Sequence, residues 1–323
     1  MRYNRPSNQN RRPQMNRNRP QHFQRPAHAP RQEEWTEVER RFGALLAIDP
    51  SPRIRLESGL AEGTTRAVDL LTPIGKGQRG LIVSPPKSGK TTILKHLCQA
   101  VSNAEPSMKV YCLLVDERPE EITDFKRSVK AEVHSSSSDQ PYENHIRVAK
   151  TLMQKAIAEA TSGLDVMIFI DSLTRLARVH NTATRGSGRT MSGGVDAQGL
   201  LIPRRIFGSA RKIENGGSLG ILASILVQTG SRMDDVIFQE FKGTGNMELV
   251  LSREISDRRI FPAVNVRESG TRKEELLYSP DELKKTRLLR AAFASMSEVD
   301  AAQTLVDLFK KYPTNSQLLA SLG

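Results

Sequence analysis

The sequence is poor in cysteine, in aromatics and in long apolar runs, and its first 32 residues contain no acid at all. Cys98 and Cys112 are the whole cysteine complement, and each lies in an apolar stretch that reads as core, so a disulfide framework is excluded as the source of stability. No segment approaches the roughly eighteen consecutive apolar residues of a membrane helix. The amino terminus has Arg, Asn and Pro where a secretory leader has an apolar segment. An organelle transit peptide is disfavoured as well, because residues 1–32 hold no Leu, Ile or Val for an amphipathic face. An intracellular protein without membrane contact is expected. Its 323 residues suffice to bury a sizeable core, in one large domain or two smaller ones.

What is present is unevenly spread. Of the formal charge of +12, eight positive charges are the arginines of residues 1–32. That segment is Arg, Asn, Gln and Pro with isolated Tyr3 and Phe23, and it cannot bury enough apolar surface to offset the entropy of ordering. Residues 1–33 are therefore expected to form a disordered basic tail, suited to loose contact with RNA phosphates and bases or, more plainly, to solubility. Residues 34–323 have a globular composition. A short helix is predicted in EEWTEVERRFGALLAI, then strands at 80–83, 110–115, 166–170, 219–227 and 249–251 alternating with helices near 89–102, 119–130, 142–161, 172–182 and 197–213. Two or three amphipathic helices are expected over 280–322. Such alternation predicts an α/β fold, a mainly parallel sheet with helices on both faces and a helical carboxyl-terminal segment.

The stretch SPPKSGKTTILKHL, residues 84–97, ends like a phosphate-binding loop, yet Ser84 stands where the pattern GxxxxGK[ST] has its first glycine. The context supplies the rest: an apolar strand precedes, a helix follows, Lys90 can reach the β and γ phosphates, and Thr91 offers a hydroxyl to magnesium. A small residue at 84 still leaves the backbone room to turn. Asp171, closing VMIFIDSLTR, is the candidate carboxylate for holding magnesium through water, with a plain helix cap as its bland alternative. Glu117, in CLLVDERPEE, is the candidate group to polarise the attacking water. An arginine for the transferring phosphoryl group could come from Arg253, Arg258, Arg259, Arg267 or Arg272, among which the residues alone do not choose. The glycine-bearing polar segments 184–196 and 228–235 read as polymer contacts or as ordinary surface loops, with Arg185, Arg189 and Arg232 available to neutralise phosphodiesters.

Several long motifs in one order, PIGKGQRGLIVSPPKSGKTT, LLVDERPEEIT, DSLTRLAR, SGGVDAQGL, EFKGTGNMEL and FPAVNVRESGTRKEEL, resemble the ATPase half of the bacterial transcription termination factor Rho family from about Arg53 to Leu277. The resemblance implies a RecA-type P-loop core working as a homohexameric, RNA-dependent ATPase and helicase that pulls on nascent single-stranded RNA in the bacterial cytoplasm. RNA polymerase and elongation factors are the implied partners, and ATP and Mg2+ the implied cofactors. It places Pro86, Lys87, Ser88, Gly89, Lys90, Thr91 and Thr92 on the nucleotide loop, Arg118 as a nucleotide sensor, and Phe261 against adenine. Glu117 and Lys90 are implied to be catalytic, and Thr91 and Asp171 to serve the metal. Arg272 matches the arginine finger lent across a subunit boundary, with Arg253 and Arg259 at the same interface. Arg185, Gly188, Arg189 and Ser192 fall on one RNA loop, and Thr229, Gly230, Ser231 and Arg232 on the other. Departures are Thr92 for an apolar residue, Arg232 for a lysine and His180 for a tyrosine. About fifty residues precede the matching region, too few for the OB-fold barrel that loads RNA in typical members. A non-catalytic RNA-binding ring and a rotary or secretion-type ATPase are the alternatives.

Overall fold

The computed structural model describes Met1, residues 37–184 and residues 192–322. The expected basic tail beyond Met1, and Arg185, Gly188 and Arg189, lie outside the described residues. The chain opens with α1 (Glu37–Ala44), β1 (Ala47–Ile48), β2 (Arg53–Ile54), α2 (Leu56–Gly59), α3 (Gly63–Leu71) and β3 (Ile74–Gly75). The central run is β4 (Arg79–Ser84), α4 (Lys90–Ala104), β5 (Lys109–Glu117), α5 (Pro119–Ser128), β6 (Glu132–Ser137), α6 (Tyr142–Thr161), β7 (Asp165–Asp171) and α7 (Leu173–Thr184). After it come α8 (Leu201–Gly208), β8 (Arg211–Ile213), β9 (Ser218–Leu226), α9 (Arg232–Lys242), β10 (Met247–Val250), α10 (Arg253–Asp257) and β11 (Gly270–Thr271). Three helices close the chain, α11 (Pro280–Ala294), α12 (Glu298–Lys311) and α13 (Asn315–Ala320).

The main sheet runs β11-β10-β4-β9-β7-β5-β6, parallel from β10 to β6, with β11 antiparallel on one edge and β8 and β1 added antiparallel beside β9. Successive side chains of a strand point to opposite faces, and the apolar runs divide accordingly. Cys112, Leu114, Met167 and Phe169 face a layer with α3, α4 and the carboxyl-terminal helices. Tyr111, Leu113, Val115, Val166, Ile168 and Ile170 face α6, α7, α8 and α9. Both faces are covered, which is why these strands read as continuous apolar runs. Arg66 of α3 ties the carboxyl-terminal helices down: its guanidinium donates to Phe309 O (3.0 Å), Tyr312 O (2.7 Å) and Asn315 Oδ1 (3.2 Å).

Several elements differ from expectation. The helix predicted over 197–213 is confined to α8, and Arg211–Ile213 instead pairs with β9 across a turn in which Asn215 takes a φ of +53° ahead of Gly216 and Gly217. The helix α3 and the edge strand β6 were not foreseen; EVHSSS has no apolar run, because only one side of an edge strand is paired. The polar segment 228–235 is half helix, α9 starting at Arg232 behind Ser231.

Candidate active site

The phosphate loop is the link between β4 and α4. Gly89 sits at the helix entry with φ +92°, a left-handed conformation that glycine adopts without strain, and Lys87 also has positive φ, +65°. Ser84 answers for its missing glycine with a hydroxyl. Its Oγ lies 2.8 Å from Ser88 Oγ, and Ser88 Oγ donates to Pro85 O at 2.8 Å, so two buried hydroxyls lace the loop from within. From outside, Ser256 Oγ of α10 donates to Lys87 O at 3.1 Å. Pro86 and Thr92 complete the loop, and Thr92 faces solvent on the first turn of α4.

Four side chains from three elements, α4, β5 and β7, meet at this loop. Lys90 Nζ bonds Asp171 Oδ1 and lies 3.8 Å from Glu117 Oε1, while Thr91 Oγ1 donates to Asp171 Oδ2 at 3.3 Å. Asp171 ends β7, which does not neighbour β4, since β9 runs between them. The gap is bridged by Ser224 of β9, whose Oγ donates to Asp171 Oδ1 at 2.9 Å. Glu117 ends β5 after a register shift between Val115 and Glu117, with Asp116 at φ +57°. The extra residue turns Asp116 toward solvent and Glu117 inward, where it is 3% exposed. Burial, and then the charge of Asp171, push the Glu117 carboxyl up to about 8 against the pull of Lys90. Its Oε1 lies 3.2 Å from Arg175 Nε yet accepts no hydrogen bond of good geometry. Arg118 flanks the group from the start of α5, exposed and paired with Glu121 at 2.9 Å.

The donor set suits magnesium. Hydroxyl and carboxylate oxygens of Thr91 and Asp171 face one another, and magnesium is ordinarily held by one or two carboxylates with phosphates and water completing the shell. Among the described residues there is no cluster of three or more His, Cys, Asp or Glu that could hold a metal ion.

The remaining candidates are placed apart from this centre. Phe261 is 51% exposed, beside the α10 segment that clamps the loop. Arg253 opens α10, where it pairs with Asp257 at 3.5 Å, and Arg259 follows that helix with φ +60°. Arg272 stands at the opposite end of the sheet. Its backbone N–H donates to Asn246 O (2.9 Å), and Asn246 N donates to Arg79 O (2.9 Å) at the start of β4. The length of β4, about 17 Å at ~3.3 Å per residue, therefore separates it from the phosphate loop of its own chain. Motif reading missed its neighbours. The charges of Arg211 and Arg272 both bear on Arg79, whose guanidinium is tied to Ala210 O, and Asn246 Oδ1 accepts from Gln78 Nε2 and Arg79 N. An asparagine directly after glycine in EFKGTGNMEL was the available signal.

The two polar loops meet. Gly193, at φ +72°, lies so close to α9 that a Cβ would come 2.8 Å from Arg232 O, which brings Ser192–Gly194 against Arg232. Thr229 Oγ1 donates to Asp234 Oδ2 at 2.6 Å and accepts from Ser231 N, with Gly230 at φ +76° between them. Asp234 in turn takes both the Nε (2.8 Å) and Nη2 (2.5 Å) of Arg178 on α7, so this loop is anchored to the helix that follows Asp171.

A phosphate loop, two carboxylates on parallel strands and helices on both faces define a P-loop ATPase domain, and residues 64–271 match the ATP synthase alpha/beta family, nucleotide-binding domain. Among solved structures, a prototypical ATPase of the type III secretion system of pathogenic bacteria superposes with a TM-score of 0.68 at 21% identity over 86% of each chain, a likeness of fold. Sequence kinship is nearer elsewhere. The chain is 50% identical over 279 residues to transcription termination factor Rho of Haemophilus influenzae, 48% over 284 to that of Pseudomonas aeruginosa, and 50% over 281 to that of Streptomyces lividans. These alignments cover 85%, 87% and 87% of this chain and 66%, 68% and 40% of those relatives. The chain belongs to the family of transcription termination factor Rho.

Proposed function

We propose that the chain is an RNA-stimulated ATPase that acts as a ring of six copies, pulls on nascent single-stranded RNA and terminates transcription in the bacterial cytoplasm, with RNA polymerase and elongation factors as partners. Residues 34–323 form its motor and residues 1–33 a basic tail. The observation that carries the reading is the meeting of Lys90, Thr91, Asp171 and Glu117 at the carboxyl ends of parallel strands, where α/β sheets bind ligands.

The chemistry follows from these groups. Backbone N–H groups of residues 87–91 cradle the phosphates, and Lys90 exchanges its Asp171 contact for the β and γ oxygens. Thr91 and Asp171 would hold Mg2+, which supplies charge neutralisation at the β and γ phosphates. Glu117, in its ionised form, holds the attacking water and receives its proton, and burial raises its proton affinity above that of an ordinary carboxylate. Arg118 reads the γ-phosphate from the edge of α5. Arg272 is too far from its own loop to serve it, which favours action on the nucleotide of the next copy, with Arg253 and Arg259 near the same boundary and Phe261 packing on the base.

RNA is gripped by Ser192 with Arg185, Gly188 and Arg189 on one loop and by Thr229, Gly230, Ser231 and Arg232 on the other. The contact of Gly193 with Arg232 supports a joint surface, and the Asp234–Arg178 pair gives it a mechanical connection toward Asp171. The test is the ATP turnover of the full chain with and without single-stranded RNA. Stimulation is expected; turnover indifferent to RNA would favour a secretion-type ATPase, and absence of turnover a non-catalytic ring.

A further inference from the structure

One face of α4 beyond the phosphate loop stays open to solvent. Thr92 is exposed, and His96, four residues on and therefore on the same face, is half-buried. His96 Nδ1 lies 2.9 Å from Glu62 Oε2 and 3.2 Å from Thr64 Oγ1, and the same Oε2 accepts Thr64 N at 2.8 Å. Glu62 is the cap of α3, its own N–H donating to Thr65 Oγ1 at 3.2 Å. Between Glu62 and Thr64, Gly63 rests on the loop after α10, where a Cβ would meet Pro262 Cδ at 3.3 Å. Pro262 follows the exposed ring of Phe261. The Gly63–Pro262 approach sets the Glu62–His96 pair beside the segment of Phe261 and along the open face of α4 that begins at Thr92, and the space between these groups is taken as one slot. His96 is six residues past Lys90, about 9 Å along the axis at ~1.5 Å per residue, a distance comparable to the span of a nucleotide from phosphates to base.

Within that slot the polar edge is defined. Both contacts to Glu62 fall on Oε2, and the side chain is 40% exposed, so Oε1 is an acceptor on the open side. Burial pushes the Glu62 carboxyl upward, but the hydrogen bonds from His96 and Thr64 outweigh it and hold the group below its ordinary value, ionised at neutral pH. None of the features that define the phosphate loop required this pair.

We propose that Glu62, held in place by His96, selects the nucleotide by the 6-substituent of its purine: Oε1 accepts from an exocyclic amine and turns away a 6-carbonyl, whose lone pairs would face the carboxylate. Phe261 and Thr92 supply the faces of the slot, which carry no such preference. Glu62 is here a specificity residue and His96 a positioning residue. The inference rests on the phosphate-loop reading above.

Equilibrium binding of ATP and of inosine triphosphate to the full chain, without RNA, tests it, because the two differ only on the edge of the base that carries the 6-position. The intact protein should bind ATP tighter by about tenfold or more, as expected where a site is built around one hydrogen-bonding group. Glu62→Gln keeps one oxygen for Thr64 and His96 and turns an NH2 outward, so the preference should fall to about one or invert, as a donor now faces the 6-position. His96→Asn leaves the α3 cap intact and should lower the preference severalfold by freeing the carboxylate. Equal binding of ATP and inosine triphosphate by the intact protein, or a preference untouched in both variants, overturns the proposal while leaving the phosphate loop standing. Failure of both nucleotides to bind sinks the phosphate-loop reading and this inference with it.

Discussion

Replacing Glu117 with glutamine should abolish turnover and, at alkaline pH, make the nucleotide-free protein harder to unfold. The carboxyl is buried and lies near 8 in the folded chain, against an ordinary value of 4.5. Between those values the unfolded chain has released the proton that the folded chain retains, so wild-type stability falls as pH rises from about 4.5 to 8 and stays lowered above it. At ~1.36 kcal/mol per tenfold in proton affinity the ceiling is roughly 5 kcal/mol. Lys90, Arg175 and Asp171 readjust together as the group ionises, which brings the expected effect to the order of 2 kcal/mol. Glutamine is nearly isosteric with the protonated acid and has no charge to desolvate. Glu117→Gln should therefore match wild type in thermal unfolding at pH 5 and exceed it by about 5 °C at pH 8.5. In the same preparation ATP should still bind while hydrolysis drops by at least about a hundredfold, the range for a general base. A variant less stable than wild type at pH 8.5 would refute the burial argument, and near-normal hydrolysis would refute the catalytic one.

Arg272→Ala should hydrolyse poorly yet regain activity when mixed with Glu117→Gln subunits, since intact pairs of groups then meet at some boundaries; mixtures that never exceed the sum of their parts would place Arg272 outside the neighbour's site. Asn246→Ala removes the acceptor of Gln78 Nε2 and Arg79 N and should cost about 2 kcal/mol of stability, measured by denaturant titration, while lowering turnover through a loosened Arg272. Deleting residues 1–32 should raise the RNA concentration needed for half-maximal ATPase and flatten its salt dependence with the maximal rate kept, because eight arginines act by phosphate neutralisation. An unchanged RNA requirement at several salt concentrations would show the tail to be a bystander.

How far the site was legible depends on the range over which each feature is specified. The phosphate loop and the two carboxylates could be read in the sequence because each lies at the junction of an apolar run with a helix, a local pattern. That β9 separates β4 from β7, and that Ser224 fills the gap, could not, since strand order is a matter of long-range pairing and not of periodicity. That Glu117 and not the adjacent Asp116 aims inward has its physical cause in the bulge at Asp116, which the sequence does not show. The edge strand β6 escaped because a strand with one open side lacks the apolar run that marks a buried one.

By itself the sequence determined the composition of the layers. Alternating apolar runs and amphipathic segments require a covered parallel sheet, and GKT after a strand requires a phosphate loop at its carboxyl end. Only the tertiary structure decided which groups share a space. Arg272 lies a full strand length from its own phosphate loop, Gly193 packs on Arg232, and Glu62 meets His96 from a different helix. Each of these relations joins residues more than thirty positions apart, and such distances are set by the packing of whole elements, which no local preference of the chain encodes.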